Sequence, residues 1–533
     1  MKRNVLLIAV LIFAVCFCGC GSVNDGTGGN IYTVISDNPR NLDPQLAEDS
    51  ASLSVIRNIF EGLTETSADG EIHCAAAKSC TVSEDKLRYR FTLRDSLMWK
   101  GAEGFTAELT AHDYVYAFRR IFDPDIHSPY ANTFAAIKNS AEVYSGVMSP
   151  TDLGVRAEGD DTVVFELAYP VSDFLYLLST AAASPCCEEF YLSTEGRYGL
   201  SAEYTAGNGA FVLTEWNYDP YWNENFLTLR RNPDNSTEER KTYPSYVHYV
   251  ITDNAAEYEE ASGNTVDVQV CSPGELPRMK NRRSGSYPSY AAGLTFNPHD
   301  PIFSNYNIRS ALSLCTDISV YDGRTTYGIT GGSGAVPYAV TVEGKPLREL
   351  FGEFSTRSGG AYELWEKGLE ETGGNYPELE TIIVPDSFAD AAIVYMITDS
   401  WNEELGFSCG VEILSDSEYE SRMESGDYSI ALTQVTSDTA SAADFLDEYR
   451  RYIIDPDTAQ LYASYVSGGR YSASVNYELK NYREAEQLLI DSASYIPVFY
   501  ESRLLVTEKD ISGVIYDPFT GAINFKSVKK YND

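Results

Sequence analysis

Groups able to do chemistry are thinly spread along this chain. Only five histidines occur among 533 residues: His73, His112, His127, His248 and His299. No two have the spacing of zinc ligands, and no H-E-x-x-H occurs. There is neither a G-x-x-x-x-G-K-[ST] phosphate loop nor a G-x-S-x-G nucleophile elbow. The glycines around Gly331 lack the preceding strand and following lysine that phosphate binding needs. Asp and Glu number 78, yet no two stand out as the acid and nucleophile of a glycosidase. The expectation is a protein that is not an enzyme and has no cofactor and no metal. One carboxylate is differently placed. Asp438 follows the apolar run of residues 428–435, on a loop at the carboxyl end of a strand, where α/β folds bind ligands. A carboxylate there can hold a cationic group by charge-assisted hydrogen bonds.

The amino terminus carries a processing signal. Lys2 and Arg3 precede a nearly continuous apolar run over residues 5–17, followed by small residues and cysteines. The run is shorter than the roughly 20 residues that cross a bilayer, so it reads as a signal-peptide core. Gly19-Cys20 at its end resembles the lipobox of bacterial lipoproteins, whose cysteine is diacylated and becomes the first residue. Phe17 and Cys18 stand where that motif usually has Leu and a small residue. Lipidation of Cys20 is expected, with ordinary secretory cleavage nearby as the alternative. Residues 1–20 are then a signal peptide and 21–29 a flexible linker. Of the ten cysteines, seven lie beyond this segment, an odd and scattered set that is no disulfide framework. Cys74 and Cys80 could pair; most of the others read as small core residues.

At 59.0 kDa the chain is too long for one core, so two or three lobes are expected. Hydrophobic residues at 43% and charged residues at 22% are an ordinary globular balance. A net charge of −38 repels phosphate backbones and disfavours nucleic acid as a partner. The spacing predicts a strand over 30–36, a helix over 52–63, a half-buried strand over 87–93, and a helix opened by Thr110 with Asp113 as an acidic capping box. Further strands are expected over 163–167, 211–216, 226–230, 246–252 and 267–270. From 381 the rhythm changes to strand (381–384), helix (389–405), strand (411–414), helix (418–424) and strand (428–435). That alternation predicts an α/β lobe with a largely parallel sheet.

Identities at fixed spacing then carry a resemblance. They include Leu42-Asp43-Pro44, Asn58-Ile59-Phe60-Glu61-Gly62-Leu63, Ser83-Glu84-Asp85, Tyr89, Phe91, Leu93-Arg94, Trp99, Asp113-Tyr114-Val115-Tyr116 and Arg119-Arg120. Asn208-Gly209-Ala210-Phe211, Ile308-Arg309-Ser310-Ala311-Leu312 and Pro497-Val498-Phe499-Tyr500 continue the series. The chain resembles the extracellular solute-binding proteins of family 5, which serve peptide and nickel importers, and is most like their oligopeptide-binding members. The resemblance runs from about residue 30 to the end and is weakest over 325–380 and 449–482.

This resemblance implies a three-lobe periplasmic-binding-protein-like α/β fold (type II, cluster C). Two mixed α/β lobes are hinged around a ligand cleft, with an inserted lobe. Lobe I would comprise 30–65, 200–310 and 503–533, lobe II 66–199, and lobe III 311–502. It implies an oligopeptide ligand, delivery to the permease subunits of an ABC importer with cytoplasmic ATPases, a lipid-anchored monomer on the outer face of the membrane, and no nucleic acid. Asp438 matches the aspartate that pairs with a peptide's α-ammonium. Glu48 matches an acidic residue at the cleft edge, Ser50 a strand-like position that pairs with the ligand, and Tyr130 a cleft tyrosine. Asn297 lies near a ligand-contacting position, and Gln434 and Thr436 would offer main-chain groups. The sequence departs from the family at Val435 and Thr439, where Trp and Tyr are usual, which alters the expected wall of the amine pocket. The alternatives are the same fold with a dipeptide, nickel chelate or other small solute, and a peptide-sensing surface lipoprotein without transport.

Overall fold

The computed structural model describes residues 28–531, apart from 68–69, 222–224, 237–239, 277–278, 280–281, 317–327, 333, 352–359, 375–376, 378–379 and 389–390. The expected signal peptide, Cys20 and nearly all of the linker lie outside the described residues.

β1 (Asn30–Ile35) alternates buried and half-exposed residues, and α1 (Ser50–Ile59) follows it. Asp49 caps α1 by accepting from Ser52 N at 2.8 Å. The helix ends at Phe60, whose backbone is extended, three residues before the apolar pattern stops. The inserted segment holds a four-stranded antiparallel sheet: β2 (Ala77–Val82), β3 (Arg88–Leu93), β4 (Val155–Ala157) and β5 (Thr162–Glu166). α2 (Ala111–Ile121) begins with both bonds of the Thr110/Asp113 capping box. Cys74 and Cys80, able to pair on spacing alone, are free thiols here, as are the other five described cysteines.

Beside a three-stranded sheet and several two-stranded ones, β1 and ten further strands build one eleven-stranded sheet. They are β6 (Phe211–Asn217), β7 (Phe226–Arg231), β8 (Tyr246–Ile251), β9 (Val268–Cys271), β10 (Arg283–Phe296), β11 (Ile329–Gly331), β12 (Thr381–Pro385), β13 (Gly410–Leu414), β14 (Ile430–Val435) and β15 (Tyr495–Thr507). Their order is β6-β7-β8-β1-β9-β15-β10-β14-β12-β13, with β11 on the flank of β15. β1 runs parallel to β8, and β12 runs parallel to both β13 and β14. α3 (Ala392–Leu405) connects β12 to β13, the expected α/β alternation. After β14 come α4 (Pro456–Arg470) and α5 (Val475–Asp491).

Two long strands join the halves. β10 pairs antiparallel with β15 from Arg283↔Thr507 to Thr295↔Tyr495. At one end β15 adjoins β9, and at the other β10 adjoins β14, with Ala291 opposite Val435. The pairing register shifts at Pro288/Tyr290 and again at Ala292/Gly293, and such bulges bend a ladder locally. The core divides at this crossing. One apolar cluster takes residues from Ile31 to Val268 together with Leu505 to Val528, and so serves the inserted sheet as well. Two others take residues between Ala291 and Tyr500.

Gly293 sits in the second bulge. A Cβ there would lie 2.3 Å from the Tyr495 ring and 2.5 Å from the Ile496 carbonyl oxygen. Gly293→Ala is therefore expected to lower the unfolding free energy by about 1–3 kcal/mol through overpacking, read as a drop in the urea midpoint at unchanged slope.

Candidate functional site

The site begins with a short irregular segment, residues 42–49, pinned from below. Arg120, from the buried face of α2, donates to Asp43 Oδ1 at 3.1 Å and to Gln45 Oε1 at 2.6 Å. Arg120 and Asp43 are each about 97% buried. Gln45 Nε2 donates to the carbonyls of Ala182 and Ser184. Ser128 Oγ donates to the Gln45 carbonyl at 2.8 Å, and the Tyr130 hydroxyl donates to the Ala47 carbonyl. These bonds fix the backbone that presents Glu48 and Asp49 beside the Tyr130 ring.

Asp438 reaches this place from the other half of the molecule. Burial raises the Tyr130 hydroxyl well above its ordinary pKa, and the charges of Glu48, Asp438 and Asp49 raise it further, in that order. A carboxylate three residues past β14 thus acts on the same phenol as two carboxylates at the start of α1. Its loop also touches the inserted lobe, for Ala440 N donates to the Tyr176 hydroxyl at 2.8 Å. The charges of Asp438 and Glu48, from the two halves, thus both bear on the Tyr130 hydroxyl. Asp438 and Glu48 are solvent-exposed, as befits groups that meet a ligand.

The other expected site residues fall elsewhere or act differently. Ser50 is the first residue of α1, so the expected strand-like pairing gives way to a helical turn capped by Asp49. Asn297 lies past the opposite end of β10. Its Nδ2 donates to the carbonyls of Gly426 and Tyr428, at 2.8 and 2.7 Å, so the side chain holds a turn. Gln434 stands opposite Ala292 in the ladder, and its Nε2 donates to Glu501 Oε2 at 3.1 Å. Thr436 is exposed just past the strand. Val435 does not wall the pocket: strand alternation turns it to the reverse face, fully buried in the helical core with Ala291 and Tyr500. Thr439 donates to Asp444 at 2.7 Å.

That alternation defines an open face. Gln434, Thr436 and Asp438 are exposed on the face opposite Val435, and two strands over Arg503 is exposed and Glu501 half-buried. Arg503 stacks on Tyr290, its Cζ 5.0 Å from the ring centroid, and donates to the Tyr290 hydroxyl at 3.1 and 3.2 Å. Burial raises the Glu501 carboxyl above its ordinary pKa, against the opposing charge of Arg503. Sequence reasoning passed over Asp49, Tyr290, Glu501 and Arg503. The available signal was Glu501 and Arg503 at i and i+2 within an otherwise apolar strand.

Beside the site the inserted lobe meets the α4/α5 helices. Ser172 N donates to the Arg470 carbonyl at 3.0 Å, and the Tyr169 and Tyr471 rings meet at 4.9 Å. Arg470 pairs with Asp444 at 2.6 Å. Burial raises Asp173, and Asp444 raises it further, against bonds from Ser441 and the charge of Arg470. Glu478 is pushed up to about 7, first by burial and then by Asp173 and Glu343, with Ser172 and Lys86 opposing. Both carboxyls keep their protons to higher pH in the assembled contact than when separated. The contact is therefore strongest below the ordinary carboxylate range and loses stability as pH rises through about 7. Exchange protection of the Ala440 amide, corrected for intrinsic rate, is expected to fall between pH 5 and pH 8. Glu478→Gln should flatten that dependence.

Residues 71–452 match the bacterial extracellular solute-binding proteins, family 5 Middle. The chain belongs to this family. The oligopeptide-binding protein OppA of Bacillus subtilis is 25% identical to it over 99% of each chain. A dipeptide-binding protein of Lactococcus lactis is 25% identical over 98% of each. Among solved structures, the unliganded open form of the murein tripeptide-binding protein MppA superposes with a TM-score of 0.73, at 21% identity over 96% of this chain and 99% of that one. Listeria monocytogenes OppA bound to peptide gives 0.65, at 21% identity over 95% and 100%. The fold of this family-5 chain is thus that of the multi-lobe solute-binding proteins. No helix among the described residues is long and apolar enough to cross a membrane.

Proposed function

We propose that this protein captures oligopeptides outside the cytoplasmic membrane and delivers them to an ABC importer. The observation that carries the reading is the convergence of Asp438, Glu48 and Tyr130 from two halves of the molecule joined by the crossing strands. Every peptide with a free amino terminus presents an ammonium there, whatever its side chains, so a carboxylate in that position recognises the class. Closure of the halves around a peptide would desolvate the pair, and hinge motion at a few strand residues is the usual means. Thr436, past the end of the ladder, would supply main-chain groups to an extended ligand. The names and extents of the peptide-binding relatives support this reading.

The protein acts by binding alone, as a monomer, with no nucleic acid partner. Its partners are the importer's permease subunits, driven by ATPases on the cytoplasmic side. Cys20 carries the lipid that holds it at the membrane surface. Native mass spectrometry of protein purified from its own host should show bound peptides of a few residues, released intact on denaturation. Recovery of cleaved peptide, or of no peptide after incubation with a tripeptide library, would overturn the reading. A dipeptide cargo is the second reading, supported by a dipeptide-binding relative as similar as the oligopeptide-binding one.

A further inference from the structure

Three runs of this acidic chain, residues 226–233, 240–251 and 518–531, hold seven Lys or Arg and no Asp or Glu. The fold gathers them around Tyr243. The Tyr243 carbonyl accepts from Arg231 at 2.7 Å, and the Tyr243 amide donates to the Lys526 carbonyl at 3.1 Å. The Lys529 ammonium lies 4.5 Å from the centroid of the Tyr243 ring, and that of Lys241 5.5 Å. Arg230 and Tyr246 stand opposite each other on β7 and β8, both exposed. Of the carboxylates bordering this face, Glu61 and Glu65 are held by Arg240 and Lys526, Asp267 by Lys530 and Asp234 by Lys100. Among the described residues no carboxylate lies within ion-pair distance of Arg230, Arg231 or Lys529. These three cations keep their charge for a partner.

The chain enters the fold at the same face. Gly28 N donates to the Tyr243 carbonyl at 2.9 Å, and Ser245 N donates to the Gly29 carbonyl at 2.9 Å. Gly28 lies eight residues past Cys20, and eight extended residues reach about 28 Å at most. A lipid on Cys20 therefore keeps this face within that distance of the headgroups, at a high effective concentration. The net charge of −38 makes the rest of the surface predominantly acidic, and anionic headgroups repel it. Lysine, arginine and tyrosine are the side chains that a membrane interface attracts.

We infer that the face around Tyr243 rests on anionic lipid headgroups through Arg230, Arg231 and Lys529, and so fixes the pose of the anchored protein. The inference rests on the lipid anchor proposed above and adds the surface that lies against the bilayer. α1 sets which way the ligand segment then points. Glu48 and Asp49 precede its first residue, whereas Glu61, just past its last turn, is bound by Arg240 and Lys526 beside Tyr243. The helix between them has ten residues and is about 15 Å long. The ligand segment and the basic face thus lie at opposite ends of α1, and a protein seated on that face presents Glu48 to the medium.

The test tethers residues 21–533, with a hexahistidine tag in place of Cys20, to vesicles carrying a nickel-chelating lipid in phosphatidylcholine, with or without phosphatidylglycerol. Acetylation of Lys529 by a soluble reagent, read by mass spectrometry, should be at least threefold slower on the phosphatidylglycerol vesicles. High salt should remove the difference. Lys138 on the inserted lobe and Lys480 on α5, both exposed, should react alike on the two vesicles. Arg230→Glu should remove at least half of the protection of Lys529. Trialanine affinity should agree within about twofold between the vesicles. Equal labelling of Lys529 on both vesicles, equal protection of Lys138 and Lys480, or undiminished protection in Arg230→Glu would overturn the inference. Weaker trialanine binding on phosphatidylglycerol alone would overturn the pose given to the ligand segment. The tag takes the place of the lipid, so these outcomes are independent of lipidation, which the mass of the amino-terminal peptide of host-purified protein decides separately.

Discussion

Asp438→Ala will weaken binding of trialanine by about 2–5 kcal/mol, the cost typical of removing one partner of a desolvated charge pair. N-acetyltrialanine, which has no ammonium, should bind the intact protein weakly and lose little further on the substitution. Two features of the site set this size. Asp438, Glu48 and Asp49 all act on the Tyr130 hydroxyl, which burial raises first. An ammonium there answers several carboxylates at once, and removing any one of them leaves the others. Asp438 is the member that comes from the far half, so it alone ties the ammonium to closure. Glu48→Gln should therefore cost less than Asp438→Ala, and a calorimetric series on the two variants checks the order. Equal losses would mean that the carboxylates act only as a diffuse field.

Much of this arrangement could be read from residue patterns. The strand expected over 30–36 is present, the one over 87–93 announced itself by alternation, the start of α2 by its capping box, and the α/β unit by its rhythm. Asp438 could be placed because a strand visibly ends before it. The two crossing strands were hidden for a physical reason. β10 includes Ser284, Gly285, Ser286, Pro288 and Ser289, residues that ordinarily mark turns, and it is kept extended by β15, more than 200 residues away in sequence. β15 was visible only over residues 497–500 because the bulge at Val498 breaks its period. The misplacement of Ser50 and Asn297 has a similar source. Whether a serine begins a helix or ends a strand depends on where its neighbour's carboxylate turns, and Asp49 turns it to the helix. Asn297 looked free because its two carbonyl partners come from a turn some 130 residues later. Val435 was assigned to the pocket by alignment, whereas a side-chain period of two assigns it to the core.

The position of Glu48 depends in turn on a pair that no ligand touches. Asp43→Ala should destabilise the protein by about 3–5 kcal/mol, because it leaves the Arg120 guanidinium charged in the core. Burial alone would lower the Arg120 pKa, but bonds and charge from Asp43 more than reverse that, so the side chain stays protonated. With Asp43 gone, its remaining partners among the described residues include Gln45 Oε1, the Cys186 thiol and the rings of Tyr191 and Tyr198, at 4.1 and 5.6 Å from Cζ. None of these is an anion. Arg120→Met should cost less, since Met fills the volume and the carboxylate left behind can take up a proton. The double variant Asp43→Ala/Arg120→Met should recover part of the loss, as replacement of a whole buried pair often does. Binding should not recover with stability. Arg120 also holds Gln45, whose carbonyl receives Ser128, and the same segment carries Ala47, the acceptor of Tyr130. Urea unfolding of the double variant should approach that of Arg120→Met, while its affinity for trialanine stays below that of the intact protein. A double variant with restored binding would show that the segment presenting Glu48 is held by Tyr130 and Ser128 alone.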